Sequence, residues 1–174
     1  MEKNVFGLFS LMFVLVLMVS VLKIAAYKAA SDRLEDSLAA SGLAASLIDI
    51  RQYGTDHSII ISDMEDAFAK YRETLEINLG LTNGVASGSS YIEGPVSIDV
   101  FRIYNVSGPL VTETAVSDEG VRQISEGVLG EMKAPNGQIV EKTGIYSEIS
   151  FLLKSSLGKN IRAHKSKLTF VDTV

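Results

Sequence analysis

The N-terminal run of uncharged residues constrains this chain more than any other feature. Residues 5–22 read VFGLFSLMFVLVLMVSVL, eighteen residues without a charge. A helix of this length spans roughly 27 Å at ~1.5 Å per residue, close to the thickness of the hydrocarbon core of a bilayer. The sequence therefore predicts a single-pass membrane protein whose remaining residues lie outside the hydrocarbon.

A cleaved secretory signal is the alternative interpretation of this run. Such signals usually have an apolar centre of about 7 to 15 residues, a more basic front than the MEKN of this chain, and a small-residue cleavage site. The alanine pairs at residues 25–26 and 29–30 keep this alternative open. Retention of the run as a membrane anchor is favoured, because helical spacing continues beyond it.

The residues after the apolar run extend the predicted helix. After Lys23, Gly42 is the only glycine before Gly54 and no proline intervenes, while leucines recur at three- to five-residue steps among charged side chains. This pattern predicts one helix from about Asn4 to Ile50, apolar all round in its first half and amphipathic in its second. We expect the first half to pack against partners and the second half to pack against the chain's own domain.

The remaining length suits one small domain. Removing the anchor from 174 residues leaves about 145, which is near the usual domain size. The chain is thus divided into an N-terminal membrane and amphipathic helix over 1–50 and a soluble head over 51–174. Cysteine is absent, which excludes disulfides, thiolate metal sites and cysteine nucleophiles.

The head begins with a helix signal. Residues 51–58 form a turn-rich break, and residues 59–61 are a β-branched run that predicts a short strand. Ser62 and Glu65 then match a capping box, and Gly80 stands at the expected end of a helix. Between them lies an apolar stripe at helical spacing, which predicts core packing: Met64, Phe68, Tyr71, Leu75 and Leu79.

Strand signals fill the rest of the head. A Gly/Ser-rich loop is predicted over 82–95, strands over 96–104 and 110–116, and a turn at 134–137, while residues 117–132 are left undecided. A strand from about residue 145 to 153 and a basic strand over 160–171 predict an antiparallel hairpin. The predicted fold class is α+β, a long N-terminal helix with a small C-terminal domain of one helix and an antiparallel β-sheet.

Charge is distributed unevenly along the chain. The net charge of −5 argues against nucleic-acid binding, which needs a basic surface. Residues 149–174 nevertheless carry five basic side chains and one acidic side chain. Two interpretations stay open, a solvated basic strand or a surface that contacts the acidic body of another copy.

No set of residues predicts catalysis. His57 and His164 have no ligand or triad spacing, and we expect both to be exposed and solvated. Ser156 and Lys159 match an S-x-x-K pattern without its companion motifs. Asn105 begins an N-x-S glycosylation pattern, which is weak on its own. We therefore predict neither an enzyme nor a bound metal or cofactor.

Three features of the sequence occur together: Glu2 ahead of the apolar run, the Ala/Ser-rich helix of residues 27–50 (YKAASDRLEDSLAASGLAASLIDI) and the late hairpin of residues 143–167 (TGIYSEISFLLKSSLGKNIRAHKSK). In this combination the chain resembles the type IV pilin superfamily, particularly TadE-like pilins and pseudopilins. The resemblance implies a subunit that is made with a short basic leader, cut by a prepilin peptidase and polymerised with its apolar helix in the filament core. In this superfamily an acidic residue, usually the fifth of the mature chain, neutralises a neighbour's amino group, and Glu2 is the candidate here.

The resemblance also implies which residues and partners take part in assembly. An unpaired carboxylate in an apolar bundle costs on the order of several kcal/mol, and pairing with an N-terminal ammonium relieves much of that cost. The implied partners are copies of the chain, the inner membrane before assembly and the pilus assembly machinery, and the implied location is a filament on the cell surface. The candidate assembly residues are Met1, Glu2, Phe6, Phe9, Phe13, Leu17, Leu34 and Leu38.

A second class of function stays open. The same anchor suits a non-polymerising, membrane-anchored extracytoplasmic binding domain, or a minor pseudopilin of a secretion system. Lys23, Lys28 and Arg33 follow the apolar run and only Lys3 precedes it, which by the positive-inside rule favours a cytoplasmic C-terminus. Removal of a basic leader, as the resemblance implies, restores the balance expected for an extracytoplasmic head.

Overall fold

The chain folds as a long helix followed by a domain that contains a second helix and a sheet. The computed structural model describes residues 2–46, 59–86, 91–154 and 160–171, in two compact units, 1–33 and 34–174. The predicted α+β class is confirmed. The elements of the described residues are α1 (Glu2–Ala45), α2 (Met64–Leu79), β1 (Leu81–Thr82), β2 (Val85–Ala86), β3 (Ile92–Ser107), β4 (Leu110–Ser117), β5 (Gly120–Val128), β6 (Gly144–Leu153) and β7 (Ile161–Phe170).

The sheet is antiparallel, and the long strand β3 lies at its centre. β3 pairs with β4 through residues 102–107 and with β6 through residues between 92 and 104. The strand order is β5-β4-β3-β6-β7, and the short β1–β2 hairpin joins the first part of β3. β6 and β7 pair along their full ten residues, which confirms the predicted hairpin.

One face of the sheet, the inner face, packs against helices. Because successive side chains of a strand point to opposite faces, Phe101 and Ile103 of β3 both lie on this face. α2 covers them, and the ring of Phe101 lies 5.1 Å from the ring of Phe68 and 4.9 Å from that of Tyr71. The last turns of α1 complete this core with Leu34, Leu38 and Ala45.

A smaller core covers part of the opposite face, the outer face. The segment between β5 and β6 folds over it, where the N–H of Val140 donates to the carbonyl of Met132 (2.9 Å). The turn predicted at residues 134–137 is confirmed within this segment, because the N–H of Gly137 donates to the carbonyl of Ala134 (2.8 Å). The buried side chains of this core are Tyr104, Val111, Ala134, Val140, Tyr146 and Leu168.

α2 ends where its sequence predicts and starts one residue later than its capping box indicates. The N-cap is Asp63, whose carboxylate accepts a hydrogen bond from the N–H of Asp66 (3.0 Å), so the cap predicted at Ser62 is wrong. Aspartate is as good a cap as serine and adds a favourable charge at the helix start. Gly80 ends the helix in the left-handed conformation (φ 63°), as predicted. The buried members of the predicted stripe are Phe68, Tyr71, Leu75 and Leu79.

The strands of the structure differ from the sequence analysis in three places. Residues 59–61 lie outside the sheet, and the predicted loop over 82–95 contains part of β1, all of β2 and the first residues of β3. The undecided segment 117–132 supplies β5, an edge strand. Most residues of β5 are exposed, so it lacks the alternation of apolar and polar residues that identifies a half-buried strand.

Asn105 holds the chain before α2 against the sheet. Its side-chain oxygen accepts from the N–H of Ile61 (2.9 Å), and its amide nitrogen donates to the carbonyl of the same residue (3.0 Å). The hydroxyl of Thr143 also donates to the carbonyl of Ile59 (2.6 Å). These side-chain bonds satisfy three backbone groups of Ile59 and Ile61 without a strand, and they give the asparagine of the N-x-S pattern a structural role.

We predict that Gly42→Ala destabilises the head, although alanine is the better helix former. A Cβ at residue 42 would lie 2.9 Å from Oγ1 and 3.0 Å from Cβ of Thr169, a buried residue of β7, so either α1 or the Thr169 side chain must shift. We expect the free energy of unfolding to fall by about 1–3 kcal/mol, measured by denaturant unfolding of the full chain in detergent micelles.

Two further variants test whether the contact with Thr169 causes this loss of stability. In the double variant, Thr169→Ala removes the oxygen and the methyl group nearest to the new Cβ of Gly42→Ala. The double variant should therefore lose less stability than the two single variants lose in sum. Gly7→Ala, where a Cβ has no neighbour within 4 Å, should cost nothing. Strictly additive losses at residues 42 and 169 would contradict the close contact.

Candidate functional site

The first unit of the chain has an apolar surface all round α1. Fourteen large hydrophobic side chains between residues 8 and 24 are 49–69% exposed. α1 is also the one helix among the described residues that is long and apolar enough to cross a membrane. The hydroxyl of Ser20 donates to the carbonyl of Val16 (2.8 Å), so this polar group is satisfied within the helix. The apolar helix surface consists of Leu8, Phe9, Leu11, Met12, Phe13, Val14, Leu15, Val16, Leu17, Met18, Val19, Val21, Leu22 and Ile24.

Three of the candidate assembly residues lie on this surface. Phe9, Phe13 and Leu17 follow one another at four-residue spacing, which places them on one side of the helix. Met1 lies outside the described residues. α1 begins at Glu2, but the side chains of Glu2 and Phe6 also lie outside the description. Assembly roles for these residues stay predictions.

Leu34 and Leu38 lie elsewhere, in the inner core of the head. Their side chains are 2% and 0% exposed. A side chain buried in its own domain has no surface to offer a second subunit. The expectation that these two leucines make assembly contacts therefore needs correction. Both side chains hold the amphipathic part of α1 on the sheet instead.

The basic strand predicted at the C-terminus is partly neutralised within the head. The ammonium groups of Lys165 and Lys167 on β7 lie 3.1 Å and 2.7 Å from the two carboxylate oxygens of Glu35 on α1. Partly exposed ion pairs of this kind contribute about 0–1 kcal/mol each, so their main effect is on register and specificity. Two of the basic charges are thus engaged inside one chain rather than free for another copy.

A buried carboxylate joins the three strands β3, β4 and β5. Glu113 accepts hydrogen bonds from Tyr104 (2.9 Å) and Ser125 (2.5 Å) and forms an ion pair with Arg102 (2.5 Å). Burial raises the pKa of the Glu113 carboxyl, but the hydrogen bonds from Ser125, Arg102 and Tyr104 together place it below its usual value. Burial and the adjacent carboxylate also raise the pKa of the Tyr104 phenol. Every oxygen of this carboxylate is used, which indicates a structural group.

Three ionisable side chains from three neighbouring strands meet on the outer face of the sheet. Nδ1 of His164 lies 3.3 Å from Oδ2 of Asp99 and 3.8 Å from Oε1 of Glu148. One ligand-type atom of each residue lies within 4.8 Å of the other two. The side chain of His164 is 55% exposed, as expected, but its ring faces two carboxylates. His57 lies outside the described residues.

Sequence reasoning missed Asp99 and Glu148 as neighbours of His164. The predicted β6–β7 hairpin contains a signal for half of this cluster, because its register brings Glu148 and His164 to the same face. The position of Asp99 had no such signal. It is the extra residue of a β-bulge between Ile98 and Val100, and bulges do not follow from simple alternation.

A cleft of about 420 Å³ lies between α2 and the sheet. Phe68, Arg72 and Glu76 of α2 form one wall, and residues 96–99 of β3 form another. The guanidinium of Arg72 lies 4.8 Å over the ring of Phe68 and pairs with Asp118. The cleft has the size of a small-molecule site, although such sites usually have more apolar walls.

We predict that the contribution of Glu113 to the free energy of unfolding depends on pH. Because the folded pKa lies below the unfolded value near 4.5, the ionised group stabilises the fold above that pH and loses this effect as the pH falls through the folded pKa. Glu113→Gln should lower the free energy of unfolding by about 2 kcal/mol at neutral pH, measured by denaturant unfolding in micelles.

The exposed Glu141 offers a matched control for this prediction. Glu141→Gln should change stability by less than about 0.5 kcal/mol at any pH. The loss caused by Glu113→Gln should shrink in acid. A loss of equal size at neutral pH and at about pH 3 would contradict an ionised, hydrogen-bonded Glu113.

Comparison with known proteins gives no relative from which a function can be transferred. No protein-family model, curated protein or solved structure matches the chain. The apolar helix surface and the polar groups of the head are therefore the features that point to a function.

Proposed function

We propose that the chain is a structural subunit of a type IV pilus-like extracellular filament, held in the membrane by α1 before assembly and polymerising through the same helix. The head would then coat the filament. The proposal classes the chain as an assembly protein and not an enzyme, with other copies of itself as its principal partner.

The observation that carries this proposal is the exposure of the apolar helix surface. Full burial of one large aliphatic or aromatic side chain contributes about 1.5–3 kcal/mol, so leaving fourteen of them in water costs on the order of 20 kcal/mol or more. A surface of this size requires lipid or other apolar helices around it. Lipid meets the requirement before assembly, and neighbouring copies of α1 meet it in a filament.

The composition of α1 supports helix–helix contact as well as lipid contact. Phe9, Phe13 and Leu17 form a ridge of large side chains at four-residue spacing, the arrangement that packs into the groove of a neighbouring helix. Ala25, Ala26 and Ala29 are exposed just after this ridge, and small residues permit close approach of helices. The resemblance to TadE-like pilins and pseudopilins adds a reason to expect assembly.

The direct test is electron microscopy of material sheared from producing cells, with N-terminal sequencing of the protein in the same preparation. We expect filaments that contain this chain and a uniform processed N-terminus that places Glu2 close to the amino group. Recovery of only dispersed chains that require detergent for extraction would contradict the proposal.

We predict that Glu2→Gln reduces filament yield by about tenfold or more while the amount of membrane-bound chain stays unchanged. The reason is that glutamine cannot neutralise the amino group of a neighbouring subunit, and a loss of about 1.4 kcal/mol per interface is a factor of ten. Yield is measured by quantitative blotting of sheared and membrane fractions.

Glu119→Gln, a change of an exposed carboxylate in the turn between β4 and β5, is the matched control. It should leave filament yield unaltered. Equal yields of sheared filaments from Glu2→Gln and from the unmodified chain would remove Glu2 from the assembly mechanism.

The second candidate function is a membrane-anchored binding domain that does not polymerise. The cleft between α2 and β3 is the feature that favours it, because it has the volume of a small ligand and an arginine at its wall. This function would be supported over filament assembly if no filaments form and if a small ligand binds saturably in the cleft. Arg72→Ala should then abolish that binding.

A further inference from the structure

We propose that Asp99, Glu148 and His164 form a site for a divalent transition metal ion, with Zn²⁺ as its best fit. The site lies on the outer face of the head, and the proposal does not depend on filament assembly. It revises the expectation from sequence that the chain holds no metal.

The ligand atoms already lie near the separations that zinc requires. Zinc binds nitrogen and oxygen ligands at about 2.0–2.2 Å in tetrahedral geometry, which places neighbouring ligand atoms roughly 3.3 Å apart. The distance from His164 Nδ1 to Asp99 Oδ2 is 3.3 Å, and that from His164 Nδ1 to Glu148 Oε1 is 3.8 Å. The ligand oxygens of Asp99 and Glu148 lie within 4.8 Å of each other, so their side chains must move closer together around the ion.

The backbone fixes all three ligands. Each comes from a different strand of one continuous ladder, β3, β6 or β7, so the Cα positions are held by inter-strand hydrogen bonds. Asp99 reaches the cluster as the extra residue of the bulge in β3, between the Ile98–Ile149 and Val100–Glu148 pairs. Bulges re-aim a side chain in this way at functional positions of many sheets.

A second set of hydrogen bonds orients both carboxylates. The hydroxyl of Ser150 donates to Oδ1 of Asp99 (3.0 Å), and the hydroxyl of Tyr146 donates to Oε2 of Glu148 (3.1 Å). In each carboxylate the other oxygen faces the histidine ring. Outer hydrogen bonds that hold one oxygen and leave the second for the metal are typical of protein metal sites.

The donor set selects the class of ion. One imidazole and two carboxylates suit zinc and similar transition ions, whereas Ca²⁺ takes six to eight oxygen ligands and Mg²⁺ prefers an octahedron of oxygens. Three protein ligands leave the fourth zinc position for water. The two negative charges of the carboxylates match the charge of the ion.

The test is a zinc titration of the full chain, purified in detergent without a histidine tag and stripped of metal with a chelator. We expect one equivalent of Zn²⁺ by calorimetry, an increase of Tm on zinc addition, and the visible absorption of tetrahedral Co²⁺ when cobalt replaces zinc. Ca²⁺ should not compete.

Three ligand variants and two controls identify the residues. Asp99→Asn, Glu148→Gln and His164→Gln should each lower zinc affinity at least about tenfold and abolish the tetrahedral cobalt spectrum. Circular dichroism checks that each variant is folded. His57→Gln, which changes the only other histidine, and Glu119→Gln should retain full affinity. Absence of saturable zinc binding, unchanged affinity in the three variants, or loss of binding in His57→Gln would overturn the site.

Discussion

The exclusion of water from the first half of α1 is the constraint on which the account of this chain depends. Its large side chains are apolar all round the helix, so a single face packed on a domain cannot cover them. A bilayer and a bundle of like helices are the two surroundings that can. Both surroundings require that the backbone be hydrogen bonded within the segment, which an unbroken helix achieves.

The head needs no such partner to bury its own core. The inner face of the sheet is covered by α2 and by the last turns of α1, and the segment between β5 and β6 covers part of the outer face. Some of its charged groups are also paired within the chain, as Glu113 is with Arg102 and Glu35 is with two lysines. Among the described residues, the helix, the cleft and the polar cluster around His164 are the features that point to partners.

Local patterns in the sequence predicted most of the elements and one strand pairing, the β6–β7 hairpin, but not the other neighbours. The uncharged run, the stripe of α2 and the β6–β7 hairpin each follow from spacing within about twenty residues. Leu34 and Leu38 lie in the inner core rather than on the apolar helix surface, and Glu35 meets Lys167 across 132 residues. Contacts of that kind depend on strand order, which spacing does not encode. The position of Asp99 depends on a bulge, and β5 lies at the edge of the sheet. Both features are set by the whole sheet and not by local spacing.

The most direct measurement is photo-crosslinking from the apolar helix surface in sheared material. Phe13 can be replaced by benzoylphenylalanine, which keeps the aromatic shape, and the adducts can be identified by mass spectrometry. The account predicts covalent ladders of the chain in which residue 13 is joined to the apolar helix of another copy. Adducts with lipid alone, in cells that produce the chain at full level, would contradict assembly through α1 and leave this helix as an anchor.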